Sequence, residues 1–259
     1  MHDFRSLAAV AERVADAARP VTLRHFRTRL RVDSKHADFD PVTVADREAE
    51  AAMRAVIAAE RPDDAILGEE AGHAPGRSGL TWVLDPIDGT RGYISGTPTW
   101  GVLVALRDDE AARIGIVDQP FTGERFLGGP DGASWSRDGM RRAIRVRETR
   151  RLEEATILTT FPEVGTPDEG AAFQRVASRC RLTRYGMDCY AYALLAAGQV
   201  DLVVEAGLQA YDIAAPAALV RAAGGVVTDW RGGPADDGGS ALAAATPALH
   251  DAALALLNG

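Results

Sequence analysis

Trp82-Val83-Leu84-Asp85-Pro86-Ile87-Asp88-Gly89-Thr90 is an apolar run that ends in two carboxylates, a glycine and a hydroxyl. A strand over Trp82–Leu84 would deliver both acids to one rim of a sheet. Pro86 has no N–H and a fixed φ, so the chain is predicted to leave the sheet there, and Gly89 permits a close approach by a ligand. Hard divalent cations such as Mg²⁺ take carboxylate, carbonyl and water oxygens, a set that Asp85, Asp88 and the Ile87 carbonyl can supply. A helix starting near Gly89 would turn free N–H groups toward an anion. The same residue types also make ordinary turns, so this segment alone leaves both readings open.

Three further acidic segments lie at the edges of apolar runs. Gly68-Glu69-Glu70-Ala71-Gly72 reads as a turn, solvated or ligand-bearing. Asp212, in Tyr211-Asp212-Ile213-Ala214-Ala215-Pro216, stands where the N-cap of a helix over Ile213–Ala223 is expected. Asp46, in Asp40-Pro41-Val42-Thr43-Val44-Ala45-Asp46, falls in the first turn of a helix, where the dipole favours a negative charge. Each acid has an adequate structural role by itself.

Around these segments the pattern divides the chain. Leu7, Val10, Ala11, Val14 and Ala18 recur at helical spacing, as do Ala49, Ala52, Met53, Val56 and Ile57, and Pro62 stops the second helix. From Thr81 to about Arg147, short apolar runs broken by Gly, Pro and Asp predict an antiparallel sheet. Beyond Glu148 strands alternate with helices: Ala155–Thr160, helix Glu169–Arg179, Arg181–Tyr185, helix Cys189–Gly198, Val200–Glu205, helix Ile213–Ala223, Gly225–Trp230, and a closing helix from Pro247. Two units are expected, residues 1–147 and 148–259, sharing a broad interface because no low-complexity linker separates them.

Bulk properties narrow the function classes. With 259 residues and 46% hydrophobic side chains the chain can bury a substantial core. Its net charge of -8 argues against a nucleic-acid partner. No apolar run approaches the ~20 residues of a bilayer span, and no basic stretch with an apolar core opens the sequence, so a cytoplasmic protein without a membrane partner is expected. Cys180 and Cys189 have no metal-ligand spacing and are expected to be functionally silent. Lys35 is the single lysine among 29 basic residues and a minor candidate for a phosphate contact.

Taken in order, the four acidic segments resemble the motifs of the inositol monophosphatase-like metal-dependent phosphatases over nearly the whole chain. The resemblance implies an α/β (α+β) fold, a layered α/β/α/β/α sandwich, and two or three Mg²⁺ ions per site. Glu69, Asp85, Asp88, Asp212 and the Ile87 carbonyl would ligate the metals. Thr90 and Asp46 would position and deprotonate the attacking water, and the Gly89 and Thr90 backbone would cradle the phosphate. A homodimer is also implied.

Several segments are more similar to the histidinol-phosphatase branch. They are Arg91-Gly92-Tyr93-Ile94-Ser95-Gly96, Pro98-Thr99-Trp100-Gly101, Asp118-Gln119-Pro120, Tyr185-Gly186-Met187-Asp188-Cys189-Tyr190-Ala191-Tyr192 and the run Val200–Leu208. Met187 and Gly92 depart from that pattern. The substrate implied is a small phosphorylated amino alcohol, with Arg91, Asp188, Glu205 and Asp212 beside it and Trp100 either stacking on its imidazole or filling the core. The other readings are an inositol or sugar-phosphate phosphatase and a regulatory protein that binds transcription machinery.

Overall fold

The computed structural model describes residues 3–29, 33–34 and 41–259. Lys35 and Asp40 lie outside them. In chain order the elements are α1 (Phe4–His25), β1 (Asp33–Ser34), β2 (Pro41–Val42), α2 (Val44–Glu60), β3 (Ala65–Gly68), β4 (Gly72–Ala74), β5 (Thr81–Asp88) and α3 (Thr90–Ile94). They continue with β6 (Gly101–Arg107), β7 (Ala112–Gln119), β8 (Glu124–Gly129), β9 (Gly132–Arg137), β10 (Met140–Ile144), β11 (Thr156–Thr159), α4 (Pro167–Ala177) and β12 (Leu182–Tyr185). The last are α5 (Cys189–Ala196), β13 (Leu202–Gln209), α6 (Ala210–Ala222), β14 (Val226–Thr228), β15 (Gly238–Ala244) and α7 (Pro247–Asn258).

Two sheets organise the molecule, an eight-stranded one in the order β10-β9-β8-β7-β6-β5-β3-β4 and a five-stranded one in the order β12-β11-β13-β15-β14. From β5 to β10 each neighbouring pair is antiparallel, as the sequence predicts, but β3 joins β5 in parallel. Strands β3, β4 and β15 were not anticipated. They are short or Gly- and Ala-rich, and carry no clear period of two.

Side-chain alternation builds the layers. On β5, Trp82 and Leu84 face Leu7, Val14, Met53 and Ile57 of α1 and α2, whereas Val83 faces the opposite way with Leu103 and Val117. Those residues meet Leu195 of α5, Ile213 and Leu219 of α6, and then Val203 and Ala243 of the second sheet. Its other face, Leu202, Val204 and Leu242, packs on Phe173 of α4 and Leu249 of α7. Both faces of each sheet are therefore covered, which is why β5 and β13 read as continuous apolar runs. The result is the α/β/α/β/α sandwich.

Three boundaries differ from the sequence reading. Pro86 does not end β5; the pairing with β6 jumps from Asp85–Leu103 to Asp88–Gly101, a bulge that absorbs the missing N–H. Helix α6 starts earlier than predicted, because Gln209 is its N-cap and Asp212 its third residue. Strand β13 runs on past Glu205 to Gln209, placing that acid mid-strand. Asp118 belongs to the scaffold: fully buried, it receives bidentate hydrogen bonds from Arg19 of α1 at 2.6 and 2.7 Å and another from Arg125 at 2.6 Å. No described helix is long and apolar enough to cross a membrane.

Candidate active site

The acidic segments converge where the bulged end of β5, the β3–β4 turn and the first turns of α5 and α6 meet. They line a cleft of about 280 Å³ whose walls include Glu69, Asp85, Ile87, Asp88, Gly89, Thr90, Arg91, Asp188, Glu205 and Asp212. One carboxylate oxygen from each of Asp85, Asp88 and Asp212 lies within 4.8 Å of the others. The bulge turns both β5 acids toward the same side, and Asp85 also accepts the Ile87 N–H at 3.0 Å.

Asp212 reaches the cluster from a capping box. Its Oδ2 accepts the Gln209 N–H at 2.7 Å, satisfying the N-cap donor at the helix start. Asp46 is built the same way at the third position of α2, with Oδ2 accepting from the Thr43 N–H at 2.8 Å and the Thr43 hydroxyl at 2.7 Å. Asp46 is buried and lies off the cleft surface. Burial raises its pKa; Thr43 opposes the rise and the charge of Glu69 adds to it.

The cluster calls for a cation. Burial first, then the charges of Glu69, Asp88 and Asp212, push Asp85 well above the ordinary carboxylate range. Burial, then Asp188 and Asp212, do the same to Asp88, against the Cys189 N–H that reaches its Oδ2 at 2.7 Å. Converging acids with so few donors are an unfavourable arrangement unless a positive ion joins them. An all-oxygen set at this spacing fits a hard divalent ion. The Ile87 carbonyl lies in the same wall and accepts the Thr90 hydroxyl at 3.1 Å.

Beside this cluster stand acids of a different kind. Glu205, 6% exposed, accepts from the Thr160 N–H at 2.7 Å, the Thr160 hydroxyl at 2.8 Å and the Thr159 hydroxyl at 3.2 Å. Burial lifts its pKa to about 7 despite these donors. Asp188 has a φ of 45°, uncommon for a non-glycine residue and a form of strain that clusters at functional sites. Its carboxylate sits against Gly89, where an added Cβ would come within 2.9 Å of Asp188 Cγ; with a φ of +80° as well, position 89 is restricted to glycine on two counts. Burial raises Asp188 to about 6, opposed by the charge of Arg91. The Arg91 guanidinium lies 4.9 Å from the Phe161 ring centroid at the cleft wall.

Of the two readings of Trp100 the core one holds, and Cys189 stands at the site with a buried thiol. Trp100 is wholly buried against Phe26 and Tyr93 and takes no part in the cleft, because β6 begins behind the site. Cys189 lines the cleft and its backbone N–H is held by Asp88, while burial with the neighbouring acids keeps its thiol protonated. Thr160, Phe161 and Tyr192 also line the cleft and were missed. Only their position after β11 and one turn into α5 marks them, and that needs the topology.

A model of the inositol monophosphatase family matches residues 3–258. The chain is 40% identical over 227 residues to the Arabidopsis thaliana protein named bifunctional phosphatase IMPL2, chloroplastic, covering 87% of this chain and 64% of the plant protein. It is 35% identical over 264 residues to the histidinol-phosphatase of Mycobacterium tuberculosis, covering 99% of this chain and 98% of the relative. The solved structure of an inositol monophosphatase from Zymomonas mobilis matches with a TM-score of 0.88 and 39% identity, covering 100% of both chains. Matched in sequence from end to end and in fold throughout, the chain belongs to the inositol monophosphatase family.

Proposed function

We propose that the protein is a Mg²⁺-dependent phosphomonoesterase that hydrolyses L-histidinol phosphate to L-histidinol and phosphate. The observation that carries the substrate is the pair Asp188 and Glu205, acids on the cleft wall additional to the Asp85–Asp88–Asp212 cluster. A phosphate ester that also bears an ammonium and an imidazole needs such acids; a neutral polyol does not. The relatives named histidinol-phosphatase support the same reading.

Glu69, Asp85, Asp88, Asp212 and the Ile87 carbonyl would hold the metal. A Mg²⁺ ion held there would supply the positive charge that lowers the pKa of a water and offsets charge on the phosphate and the leaving oxygen. The Gly89–Thr90 backbone at the start of α3 receives the phosphate, and Arg91 adds a positive charge at the rim. Thr90 would orient the water that forms the new P–O bond, and Asp46, buried behind the cleft wall, would take its proton through a hydrogen-bonded relay and not by direct contact; an acid with a raised pKa is the better base near neutrality. The ester P–O bond breaks and the departing alkoxide takes a proton from solvent water to give L-histidinol.

A second reading, inositol 1-phosphate or another sugar phosphate, is favoured by the Zymomonas structure, whose identity of 39% is no lower than that of the histidinol-phosphatase. Phosphate release from both esters with Mg²⁺ separates the two. L-histidinol phosphate is expected to be hydrolysed with much the higher kcat/KM, and the reverse order rejects the proposal.

A further inference from the structure

Glu50 is a buried acid that no part of the proposed reaction uses. It lies on α2 four residues after Asp46, is 1% exposed, and faces the Gly68-Glu69-Glu70-Ala71-Gly72 turn. Its Oε2 accepts the Glu70 N–H at 2.7 Å and its Oε1 the Ala71 N–H at 3.0 Å. Arg54, one helical turn further on, donates from Nε to Glu50 Oε1 at 2.7 Å and from Nη2 to the Gly72 carbonyl. On the far side of the turn, the Glu69 N–H is held by the Leu84 carbonyl of β5 at 3.2 Å.

The turn that carries Glu69 is thus fixed at Glu69, Glu70, Ala71 and Gly72 in succession. The fit also excludes any side chain at position 68, where a Cβ would lie 2.3 Å from Glu50 Oε1. Every neighbour of the Glu50 carboxylate named here is a donor, so an ionised acid suits the position, whereas an amide would set its own N–H₂ against N–H groups or a guanidinium. A buried charge is retained against its desolvation only when so fully hydrogen-bonded.

We propose that Glu50, with Arg54, is a positioning residue that sets the metal affinity of the site by holding the backbone of Glu69. It rests on the reading of Glu69 as a metal ligand and is independent of which ester is hydrolysed. Groups that orient a ligand from behind typically change metal affinity 10–100-fold when altered. Asp85, Asp88 and Asp212 are carried by β5 and α6, outside this turn, so the effect is expected to fall mainly on affinity and largely to spare turnover once metal is saturating.

The test is calorimetric titration of the substrate-free full-length protein with Mg²⁺, wild type against Glu50→Gln. The Glu50→Gln protein is expected to bind Mg²⁺ about 10-fold or more weakly, with kcat at saturating Mg²⁺ close to wild type. Unchanged affinity, even with a lowered Tm, overturns the proposal. Should Glu50→Gln fail to fold, Arg54→Met, which keeps most of the apolar stem, must weaken Mg²⁺ in the same direction or the proposal fails. A wild type that binds no Mg²⁺ would reject the metal reading itself, whereas one that binds Mg²⁺ but spares L-histidinol phosphate would reject only the substrate.

Discussion

Asp85 and Glu205 are both buried acids on strands covered on both faces, yet their surroundings differ in kind. Glu205 has three hydrogen-bond donors and is complete within the protein. Asp85 has the Ile87 N–H and is crowded by Glu69, Asp88 and Asp212. An acid satisfied by fixed donors offers a placed charge to a large, soft cation. Acids left to repel one another require a small, dense one. On the proposed reading the cleft would hold two cations in two different ways, one beside an interior strand of each sheet.

The sharpest way to break this comparison is Asp85→Asn. Metal-dependent turnover is expected to fall by at least about 100-fold, the upper end of what altering a mere supporting group costs. Metal-free stability should move the opposite way. Because the folded pKa of Asp85 is raised, its ionisation opposes folding, and that penalty grows as pH rises above the unfolded carboxylate value. The amide removes it, so the metal-free Tm at neutral pH should rise while activity is lost. Full activity at saturating Mg²⁺ would contradict the ligand assignment.

Adding Mg²⁺ to the unmodified protein should relieve the same repulsion. At a hundred times Kd the stabilisation is about 2.7 kcal/mol, or roughly 5–10 °C in Tm for a chain of this length. Asp85 and Asp88, both raised, must release protons to bind the ion, so the shift should shrink as pH falls. A Tm indifferent to Mg²⁺, or protection that grows toward acid pH, would refute the cation-demanding half of the comparison.

The two designs were unequally legible in the sequence. Asp85 and Asp88 announced themselves because Pro86 and Gly89 stand with them after an apolar strand. Asp46 and Asp212 did not, since each also caps a helix; in the structure Asp212 accepts the Gln209 N–H and still brings a carboxylate oxygen to the cluster. The helical periods of α1 and α2 and the change of pattern near residue 148 were legible, whereas the layering itself was implied by the family resemblance, since β5 reads as a continuous apolar run. What stayed hidden depended on distant pairing: β3 beside β5, the bulge that lets the strand pass Pro86, and the Thr159 and Thr160 donors that lie 46 and 45 residues from Glu205. Trp100 shows the limit from the other side, because a stacking aromatic and a core aromatic have the same local sequence.

Glu205→Gln tests the satisfied acid. It keeps the side-chain volume but loses the charge, and a charged hydrogen bond is worth about 1.5–3 kcal/mol. KM for L-histidinol phosphate should rise about 10-fold or more, while kcat and the Mg²⁺ requirement stay near wild type. Equal KM values would remove Glu205 from the substrate site and leave the comparison with a single cation site.

The smallest expected effect is also the most specific to Glu205. Its pKa of about 7 means the carboxylate is mostly ionised at pH 8 and mostly protonated at pH 6. If the ionised form binds the cationic end of the ester, KM rises severalfold as pH falls across that interval, the direction opposite to that expected from protonating the substrate imidazole alone. Substrate and metal-site protonation act equally on wild type and Glu205→Gln, so the difference between their KM–pH profiles isolates this carboxylate. The two profiles should converge below pH 6 and separate above pH 7. Parallel profiles would show that Glu205 holds the wall of the cleft through Thr159 and Thr160 without presenting its charge to the substrate.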